Sequence, residues 1–489
     1  MKVQLSLGVL LLGAAASVTA LAAGSKHAAQ TTFTTSGSPQ LTALAPGVTY
    51  APLITTGDTL PNGHQFAGVP DGIGVYGRNG ETRVIINHEL QDKAPLNAMV
   101  SEIAVAPKST GLLRGRFMVG SLNSFRRFCA SSLTVADGGA TNDQGFSRTT
   151  YFTGEEVADG KALMINPLKR GPGATFHQIK GLGLGPWENI NPLRGYGRPV
   201  LLAGEDGGQA GTFGTGSPMY GQPNYSDNRS QMWMYVSPSE SALRKDKGRL
   251  YVLTGATAGD AAGKPDDRSV SVGATVNLAW TPVGDEIVAA AHAGDPFVLD
   301  RVAESLGAFT FVRIEDTTQV PGSSTVYFSD TGARNVGGTT KGRIYKLTLD
   351  KTVPTKPATL TVLLDGDVDE SVVNPDNVTA TSKGLLIQED RNSEHRAATV
   401  AGGYSRIRWF DFVTGTLTDI GQPATDATDS TGKAINPGEW ETSGAIPAAE
   451  FFGPNTWLVA VQSHSQKVGQ SGGFGEGGQV GVLTIPNSQ

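Results

Sequence analysis

One pattern recurs along this 489-residue chain: an apolar run that ends directly in acids, amides or a histidine. It occurs at Val84–Glu89, Val200–Asp206, Thr325–Asp330, Leu385–Asp390 and Leu458–His464. The repeats are imperfect and irregularly spaced, which is typical of propeller blades that carry loop insertions of different length. If these runs are the innermost strands of successive blades, their polar ends meet at one mouth of a central channel.

Other short β-branched and aromatic runs, mostly bounded by Gly, Asn, Asp or Pro, also predict strands. With the apolar parts of the recurring runs they are 82–87, 116–119, 200–203, 231–236, 249–253, 325–328, 343–347, 385–388, 405–412 and 456–462. A single helix is predicted, over Pro296–Leu306. The high glycine content, 64 residues, suits tight turns between strands. We therefore predict an all-β chain, a single β-propeller with long loop insertions and few helices; a β-sandwich is the alternative.

The first 22 residues have the features of a secretory signal peptide. Lys2 gives a positive start, Leu5–Ala16 is mainly apolar, and Ala20–Ala22 offers a small-x-small cleavage site. No later segment reaches the roughly 20 apolar residues that a membrane-spanning helix needs. We expect residues 23–489 to form one catalytic domain in the periplasm or outside the cell, without a transmembrane segment.

The net charge of −6 argues against nucleic acid as a partner, because phosphate backbones are bound by clustered Lys and Arg. Cys129 is the single cysteine of the sequence, so no intrachain disulfide can form. This thiol is either a small buried hydrophobic group or a ligand to a metal.

Several familiar motifs are missing or out of context. The sequence contains no P-loop and no H-E-x-x-H motif. G-x-S-x-G at Gly469–Gly473 has no histidine after it, and G-x-G-x-x-G at Gly72–Gly77 and Gly473–Gly478 does not open a predicted helix. We interpret these matches as chance in a glycine-rich chain, and Asp365–Asp369 as a turn.

The remaining candidates for chemistry are acids and amides, most of them paired and several at strand ends. They are Glu89, Glu155, Glu156, Glu205, Asp206, Glu315, Asp316, Asp376, Asn377, Glu389 and Asp390. Gathered carboxylates repel one another unless a cation neutralises them. Ca²⁺ takes six to eight oxygen ligands, and Fe³⁺ accepts carboxylates together with a thiolate.

These segments resemble, in order, those of the PhoX-type bacterial alkaline phosphatases. Asn87–Glu89 is similar to that family's Asn-His-Glu segment, and Cys129–Thr134 followed by Glu155 and Glu156 to its Cys-Ala-Gly-Gly strand and Glu-Glu pair. Further similar segments are Trp187–Asn189, Glu205–Asp206 with Gln231–Val236, Arg313–Glu315, Thr325–Asp330 with Gly342–Tyr345, Pro375–Asn377, and Glu389–Asp390. The shared order spans about residues 80 to 465.

The resemblance implies a phosphomonoesterase of small phosphate esters with Ca²⁺ and Fe³⁺ as cofactors. It implies that Cys129, Glu205 and Glu315 bind iron or bridge it to calcium, and that Arg313 holds the phosphate. The implied remaining ligands are Glu89, Glu155, Glu156, Asp376, Asn377, Glu389 and Asp390.

Two other functions fit the same acids. One is a calcium-dependent propeller hydrolase of lactones or phosphotriesters, and the other is a non-catalytic envelope or surface-layer protein stabilised by calcium. Without the resemblance, Arg313 could equally form a plain ion pair with Glu315 or Asp316. His88 and His464 are expected to be hydrogen-bonded structural residues rather than ligands.

Overall fold

β-Branched and aromatic runs separated by turns form short antiparallel strands in the computed structural model of this protein. The structure describes residues 31–91, 97–169, 176–207, 230–255, 267–293, 297–332, 340–390, 404–424, 439–467 and 475–489. Thr32–Gln489 form one compact unit, and the predicted signal peptide lies outside the described residues. Each of the ten runs predicted as strands overlaps a strand.

After β1 (Leu41–Ala43) and β2 (Thr49–Thr55), the described strands form six antiparallel blades. Blade 1 holds β3 (Pro70–Arg78), β4 (Glu81–Gln91), β5 (Asn97–Val105) and β6 (Leu112–Val119), and blade 2 holds β7 (Phe128–Asp137), β8 (Arg148–Glu155), β9 (Ala162–Ile165) and β10 (Phe176–Gln178). Blade 3 holds β11 (Trp187–Pro192), β12 (Val200–Glu205), β13 (Ser230–Val236) and β14 (Arg249–Gly255). Two further strands, β15 (Thr275–Pro282) and β16 (Thr310–Phe311), precede blade 4, which holds β17 (Ile314–Gln319), β18 (Thr325–Asp330), β19 (Arg343–Thr348) and β20 (Ala358–Asp365). Blade 5 holds β21 (Pro375–Ala380), β22 (Gly384–Glu389), β23 (Ile407–Asp411) and β24 (Leu417–Pro423), and blade 6 holds β25 (Trp440–Pro447), β26 (Thr456–Lys467) and β27 (Glu476–Thr484).

The first strands of the blades, β3, β7, β11, β17, β21 and β25, contact one another in sequence, and β25 contacts β3. This closed ring of strands surrounds the central channel, and the fold is therefore a β-propeller, as predicted. β15 pairs with β14 and with β20, so it joins the outer edges of blades 3 and 4 into one continuous sheet.

The N-terminal strands close the ring. β2 pairs with β27 and supplies the outermost strand of blade 6, and β1 pairs with β24 as a fifth strand of blade 5. Ile54 of β2 is fully buried in a core cluster with Val84 of blade 1 and Leu458 and Val480 of blade 6. The first and last described parts of the chain thus hold the same blades together.

The recurring apolar runs of the sequence were candidates for the innermost strands of the blades. In the structure they are not innermost. They lie on β4, β12, β18, β22 and β26, the second strand of each blade. A second strand is covered on both faces by the neighbouring blades and so is nearly continuously apolar, whereas an innermost strand faces the channel and carries Gly, Asn, Ser and Thr. The polar ends of these second strands do meet at one mouth of the channel.

Helices are short and few within the described residues. The predicted helix is present as α3 (Val298–Ser305), and it packs beside α2 (Asp285–His292), a helix that was not predicted. The other described α-helices are single turns, α1 (Glu240–Leu243), α4 (Gly366–Asp369) and α5 (Ala449–Phe452). Among these residues no helix is long and apolar enough to cross a membrane.

Candidate metal centre

The same position, the second residue of the innermost strand, carries an acid or the thiol in all six blades. The six residues, called the acid ring below, are Asp71, Cys129, Glu188, Glu315, Asp376 and Glu441. In blades 1 to 5 the strand pairing shifts register immediately after the first residue of this strand. Such β-bulges re-aim the side chain that follows. One feature of the backbone therefore turns a potential ligand toward the mouth from five separate blades.

The ligand atoms of these six residues, together with those of Glu89, Glu156 and Asp390, form four overlapping groups, within each of which all atoms lie within 4.8 Å of one another. The groups are Asp71, Glu89 and Cys129; Cys129, Glu156 and Glu188; Glu188, Glu315 and Asp376; and Asp376, Asp390 and Glu441. Because neighbouring groups share a member, they form one continuous arc around the channel mouth. The gap in the arc is bridged by Gln462, whose Nε2 donates to Asp71, Glu89 and Glu441 at 3.2, 3.0 and 3.2 Å.

Four further acids join from the ends of the second strands. These rim acids are Glu89, Glu156, Asp206 and Asp390. The backbone N–H of each donates at 2.9 Å to the carbonyl of the residue just before an innermost strand. This shared bond fixes the chain direction at each strand end, so that the four side chains approach the same mouth.

The first acid of each strand-end pair has a different task. Glu155 accepts the backbone N–H of Arg126 at 3.0 Å, and Glu389 accepts that of Val373 at 3.0 Å. Glu205 accepts the backbone N–H of Gln231 at 3.1 Å and Trp233 Nε1–H at 2.9 Å. These carboxylates satisfy buried donors of the chain itself, which is a structural role.

The structure therefore brings together six of the ten predicted ligands and leaves four outside the groups. Those within the groups are Glu89, Cys129, Glu156, Glu315, Asp376 and Asp390, the acids outside are Glu155, Glu205 and Glu389, and the amide Asn377 instead accepts hydrogen bonds from blade 6. Asn377 lies deeper in the channel, where its Oδ1 accepts from Ser443 Oγ at 2.9 Å and from the Gly444 N–H at 3.0 Å. Gly444 itself has a positive φ of +44°, and a side chain there would meet the carbonyl oxygen of Asp71 at 2.3 Å.

Burial makes this acid cluster costly without a counter-charge. Glu188 is only 1% exposed, and its Oε2 has no hydrogen-bond partner among the described residues. Burial, reinforced by the charges of Glu315 and Glu156, raises its pKa well above the ordinary value. Burial likewise raises the pKa of the Cys129 thiol, which donates to Glu156 Oε2 at 2.6 Å. A bound cation would reverse both effects by favouring the ionised forms.

Two arginines stand at the rim of the cluster. Arg313 donates to both carboxylate oxygens of Asp206, at 2.8 and 2.9 Å, and its Nη2 lies 3.3 Å from Glu315. Arg127 Nη2 lies 2.6 Å from Glu156 and 3.0 Å from Glu89. The ion pair of Arg313 with Glu315, which was the alternative to a phosphate-binding role, is present, but the bidentate partner is Asp206.

The two strand-end histidines are both hydrogen-bonded, as expected. His88 is buried between the Gly68 carbonyl and Ser101 Oγ, at 3.0 and 2.8 Å, and burial lowers its pKa to about 3. His464 lies at the mouth, with Nδ1 2.6 Å from Glu476 and Nε2 3.4 Å from Glu441. Burial alone would lower the pKa of His464, but the hydrogen bond and charge of Glu476 raise it.

On the other side of the acid ring, the channel widens into a cavity of about 390 Å³. Residues from all six innermost strands line it, among them Ser131, Asn191 and Thr317. Asp316 also lines the cavity; it accepts the Val378 N–H at 3.2 Å, and burial raises its pKa to about 7. The acids that could hold cations are therefore concentrated at one end of the channel.

Five residues of the cluster were absent from the predicted set. They are Asp71, Arg127, Glu188 and Glu441, which were not among the candidate acids or the implied ligands, and Asp206, which was among the candidate acids but not among the implied ligands. A usable signal does exist: each acid-ring residue directly follows a proline or a bulky apolar residue, as in Pro70-Asp71, Trp187-Glu188 and Trp440-Glu441. That dipeptide is too common to be recognised before the blade boundaries are known.

No protein-family model and no curated protein matches this sequence. Among solved structures, the chain is similar to Pseudomonas fluorescens PhoX in complex with vanadate, a transition-state analogue, with a TM-score of 0.58 at 15% sequence identity. The match covers 93% of this chain and 97% of that chain. At this identity the likeness shows the fold. A luciferin-regenerating enzyme also matches, with a TM-score of 0.35, 11% identity and coverage of 86% of this chain and 93% of that one, which is too low to support an inference.

Proposed function

We propose that this protein is an exported, metal-dependent phosphomonoesterase that resembles the PhoX-type alkaline phosphatases and acts on small phosphate esters. The observation that carries the proposal is the acid ring, in which six blades each supply one potential ligand from the same strand position. Arg313 lies beside it with a guanidinium suited to phosphate oxygens. The likeness to PhoX, whose structure contains vanadate, agrees with this chemistry.

The donor set fits calcium and iron. The group of Cys129, Glu156 and Glu188 combines a thiol with carboxylates, a set that suits Fe³⁺. The group of Asp376, Asp390 and Glu441 offers only oxygens, as Ca²⁺ prefers. The buried Glu188 Oε2, which has no hydrogen-bond partner among the described residues, is an acceptor that such a cation would satisfy.

When bound, cations of this kind polarise phosphoryl oxygens and lower the pKa of a coordinated water. The chain's own residues provide the rest. Asp206 fixes the Arg313 guanidinium through two hydrogen bonds and leaves Nη1 without a hydrogen-bond partner among the described residues. That N–H group can donate to the phosphoryl oxygens and stabilise the charge that develops on them. Burial of the acid ring excludes bulk water and strengthens these contacts.

In this proposal the second acid of each strand-end pair binds a cation or positions Arg313, and the first supports the neighbouring backbone. Glu156, Asp206 and Asp390 face the mouth, whereas Glu155, Glu205 and Glu389 hold neighbouring backbone in place. The ligand set implied by the resemblance is therefore revised. Asp71, Glu188 and Glu441 replace Glu155, Glu205, Asn377 and Glu389, and Asp206 positions Arg313 from the rim.

Export remains part of the proposal and rests on the sequence of residues 1–22. Secretion would place the enzyme in the periplasm or outside the cell, where phosphate esters of small molecules are its substrates. Association with the envelope or a surface layer is compatible with this location.

The test is elemental analysis of the purified protein together with turnover of p-nitrophenyl phosphate at alkaline pH. We expect iron and calcium in the wild type, hydrolysis that chelators abolish, and loss of at least a hundredfold in kcat/KM in Glu315→Ala. Glu450→Gln, at an exposed residue by the far end of the channel, is the control and should keep wild-type activity. Calcium without iron, combined with turnover of lactones or triesters only, would refute the proposal. So would a protein that chelators destabilise but that hydrolyses none of these substrates.

A further inference from the structure

Arg127 occupies the same place in blade 2 that Arg313 occupies in blade 4. Each is the residue directly before an innermost strand, and the carbonyl of each accepts the N–H at the end of the second strand at 2.9 Å. The corresponding positions in blades 1, 3 and 5 are Val69, Pro186 and Asn374. The fold thus presents guanidinium groups at the mouth from two equivalent positions, two blades apart.

The contacts of the two arginines are also similar. Each pairs with the rim acid of the preceding blade, Arg127 with Glu89 and Arg313 with Asp206. Each also contacts an acid of its own blade, Glu156 in one case and Glu315 in the other. In both, Nε and Nη2 make these contacts, and Nη1 has no hydrogen-bond partner among the residues that the structure describes.

The two side chains flank one part of the cluster. Glu156 and Asp206 hydrogen-bond to each other, so a row of contacts runs from Arg127 through these acids to Arg313. The group of Cys129, Glu156 and Glu188 lies along this row. Both arginines reach solvent, with 25% and 14% of their side chains exposed. An anion bound over this group can therefore meet an N–H donor from each side.

We propose that Arg127 is a second phosphate-binding residue, which binds the phosphoryl group together with Arg313 and favours monoesters over diesters. This inference rests on the proposed function. A phosphate monoester dianion has three terminal oxygens and two charges, whereas a diester has two terminal oxygens and one charge. Two guanidinium donors in addition to cations can be satisfied by the monoester but not fully by the diester.

The competing role of Arg127 is structural, because it also neutralises Glu89 and Glu156. The variants Arg127→Gln and Arg127→Lys separate the roles when cation content is measured beside activity. Lysine keeps the charge next to both acids but lacks the second N–H arm of the fork. Arg126→Gln is the matched control, since the Arg126 side chain pairs with the exposed Asp159.

The assay compares kcat/KM for p-nitrophenyl phosphate and bis(p-nitrophenyl) phosphate, with inhibition by inorganic phosphate. For Arg127→Gln we expect a tenfold to hundredfold loss on the monoester, the usual worth of one charge-assisted hydrogen bond. We expect less than a threefold change on the diester, weaker inhibition by phosphate, and unchanged iron and calcium. Arg127→Lys should lie between Arg127→Gln and the wild type, and Arg126→Gln should match the wild type.

Two outcomes overturn the inference. One is an Arg127→Gln protein with a wild-type monoester-to-diester ratio. The other is equal loss on both substrates together with loss of cations, which would show a structural role. If the wild type binds cations but hydrolyses no monoester, the proposed function fails by itself. Calorimetric binding of inorganic phosphate to the wild type and to Arg127→Gln then decides the inference separately, and equal affinities would refute it.

Discussion

Glu188→Gln removes one negative charge from the middle of the acid ring while keeping the shape of the side chain. The carboxylate of Glu188 belongs to two groups, within 4.8 Å of ligand atoms of Cys129 and Glu156 in one and of Glu315 and Asp376 in the other. Two like charges at 4.8 Å repel by about 3.5 kcal/mol at an effective dielectric constant of about 20. When a chelator has removed the cations, some carboxyl groups of this cluster should therefore remain protonated.

Proton retention sets the sign of the pH dependence. The pKa of Glu188 is raised above its ordinary value of 4.5 in the folded state, so above that pH the unfolded chain releases a proton that the folded, cation-free protein keeps. The free energy of unfolding must then fall as pH rises, by about 1.4 kcal/mol per pH unit for each such group. Glu188→Gln removes one group, so its slope should be shallower by up to that amount.

The measurement is urea unfolding in EDTA, followed by tryptophan fluorescence at several pH values between about 5 and 8 and at constant ionic strength. The variant should become more stable than the wild type as pH rises in EDTA, and less stable than the wild type when iron and calcium are bound. Glu450→Gln, an exposed acid outside the cluster, should follow the wild type in both conditions. Parallel pH profiles of the wild type and Glu188→Gln would refute the reasoning, because Glu188 would then not be held protonated by burial and its neighbours.

Cys129→Ser should lose iron but retain calcium in elemental analysis, because it removes the soft ligand and leaves the carboxylates; full retention of iron would exclude the thiol as a ligand. Asp206→Asn should lower kcat/KM at least tenfold with little change in melting temperature, because it removes one charged partner that positions Arg313. Glu205→Gln should mainly lower the melting temperature, because Glu205 accepts hydrogen bonds from buried donors. The reverse result would contradict this division of roles. Ile54→Ala should lower the free energy of unfolding by about 2–5 kcal/mol, since this fully buried residue helps close the ring, and Val413→Ala at a 91% exposed site is its control. Equal effects of these last two substitutions in urea unfolding would argue against closure by β2.

Periodicity and turn residues predict the strands well because second strands are buried on both faces and carry long apolar runs. Leu385–Gln388 and Val200–Ala203 are examples that lie on β22 and β12. The innermost strands were harder to recognise, since a strand that lines a channel needs small and polar residues; Pro70–Arg78, with three glycines, resembles a loop. The helix Asp285–His292 was missed because its alanine-rich sequence has weak apolar periodicity.

The ligand set could be predicted only in part, for a geometric reason. Adjacent acids on a strand end point in different directions, so Glu205 turns toward Trp233 while Asp206 turns toward Arg313. Sequence shows the pair but not which member faces the channel. Glu188 and Glu441 stand alone beside tryptophans, and only the register of the closed ring shows that they are equivalent to Cys129.

A metal centre that takes one ligand from each blade cannot form in a short segment of the chain. Asp71 and Glu441 lie at the two ends of the blade sequence, and they meet through Gln462 only because β25 contacts β3 in the closed ring. The unfolded chain therefore cannot reproduce the site, and cations that bind it add their binding free energy to folding. The same coupling acts in reverse, since nine carboxyl groups gathered at one mouth weaken the ring when cations are removed. Without cations, repulsion among the acids at the channel mouth opposes closure of the ring, and the pairing of β2 with blade 6 has to overcome that repulsion. Cation binding and closure of the propeller are therefore thermodynamically coupled.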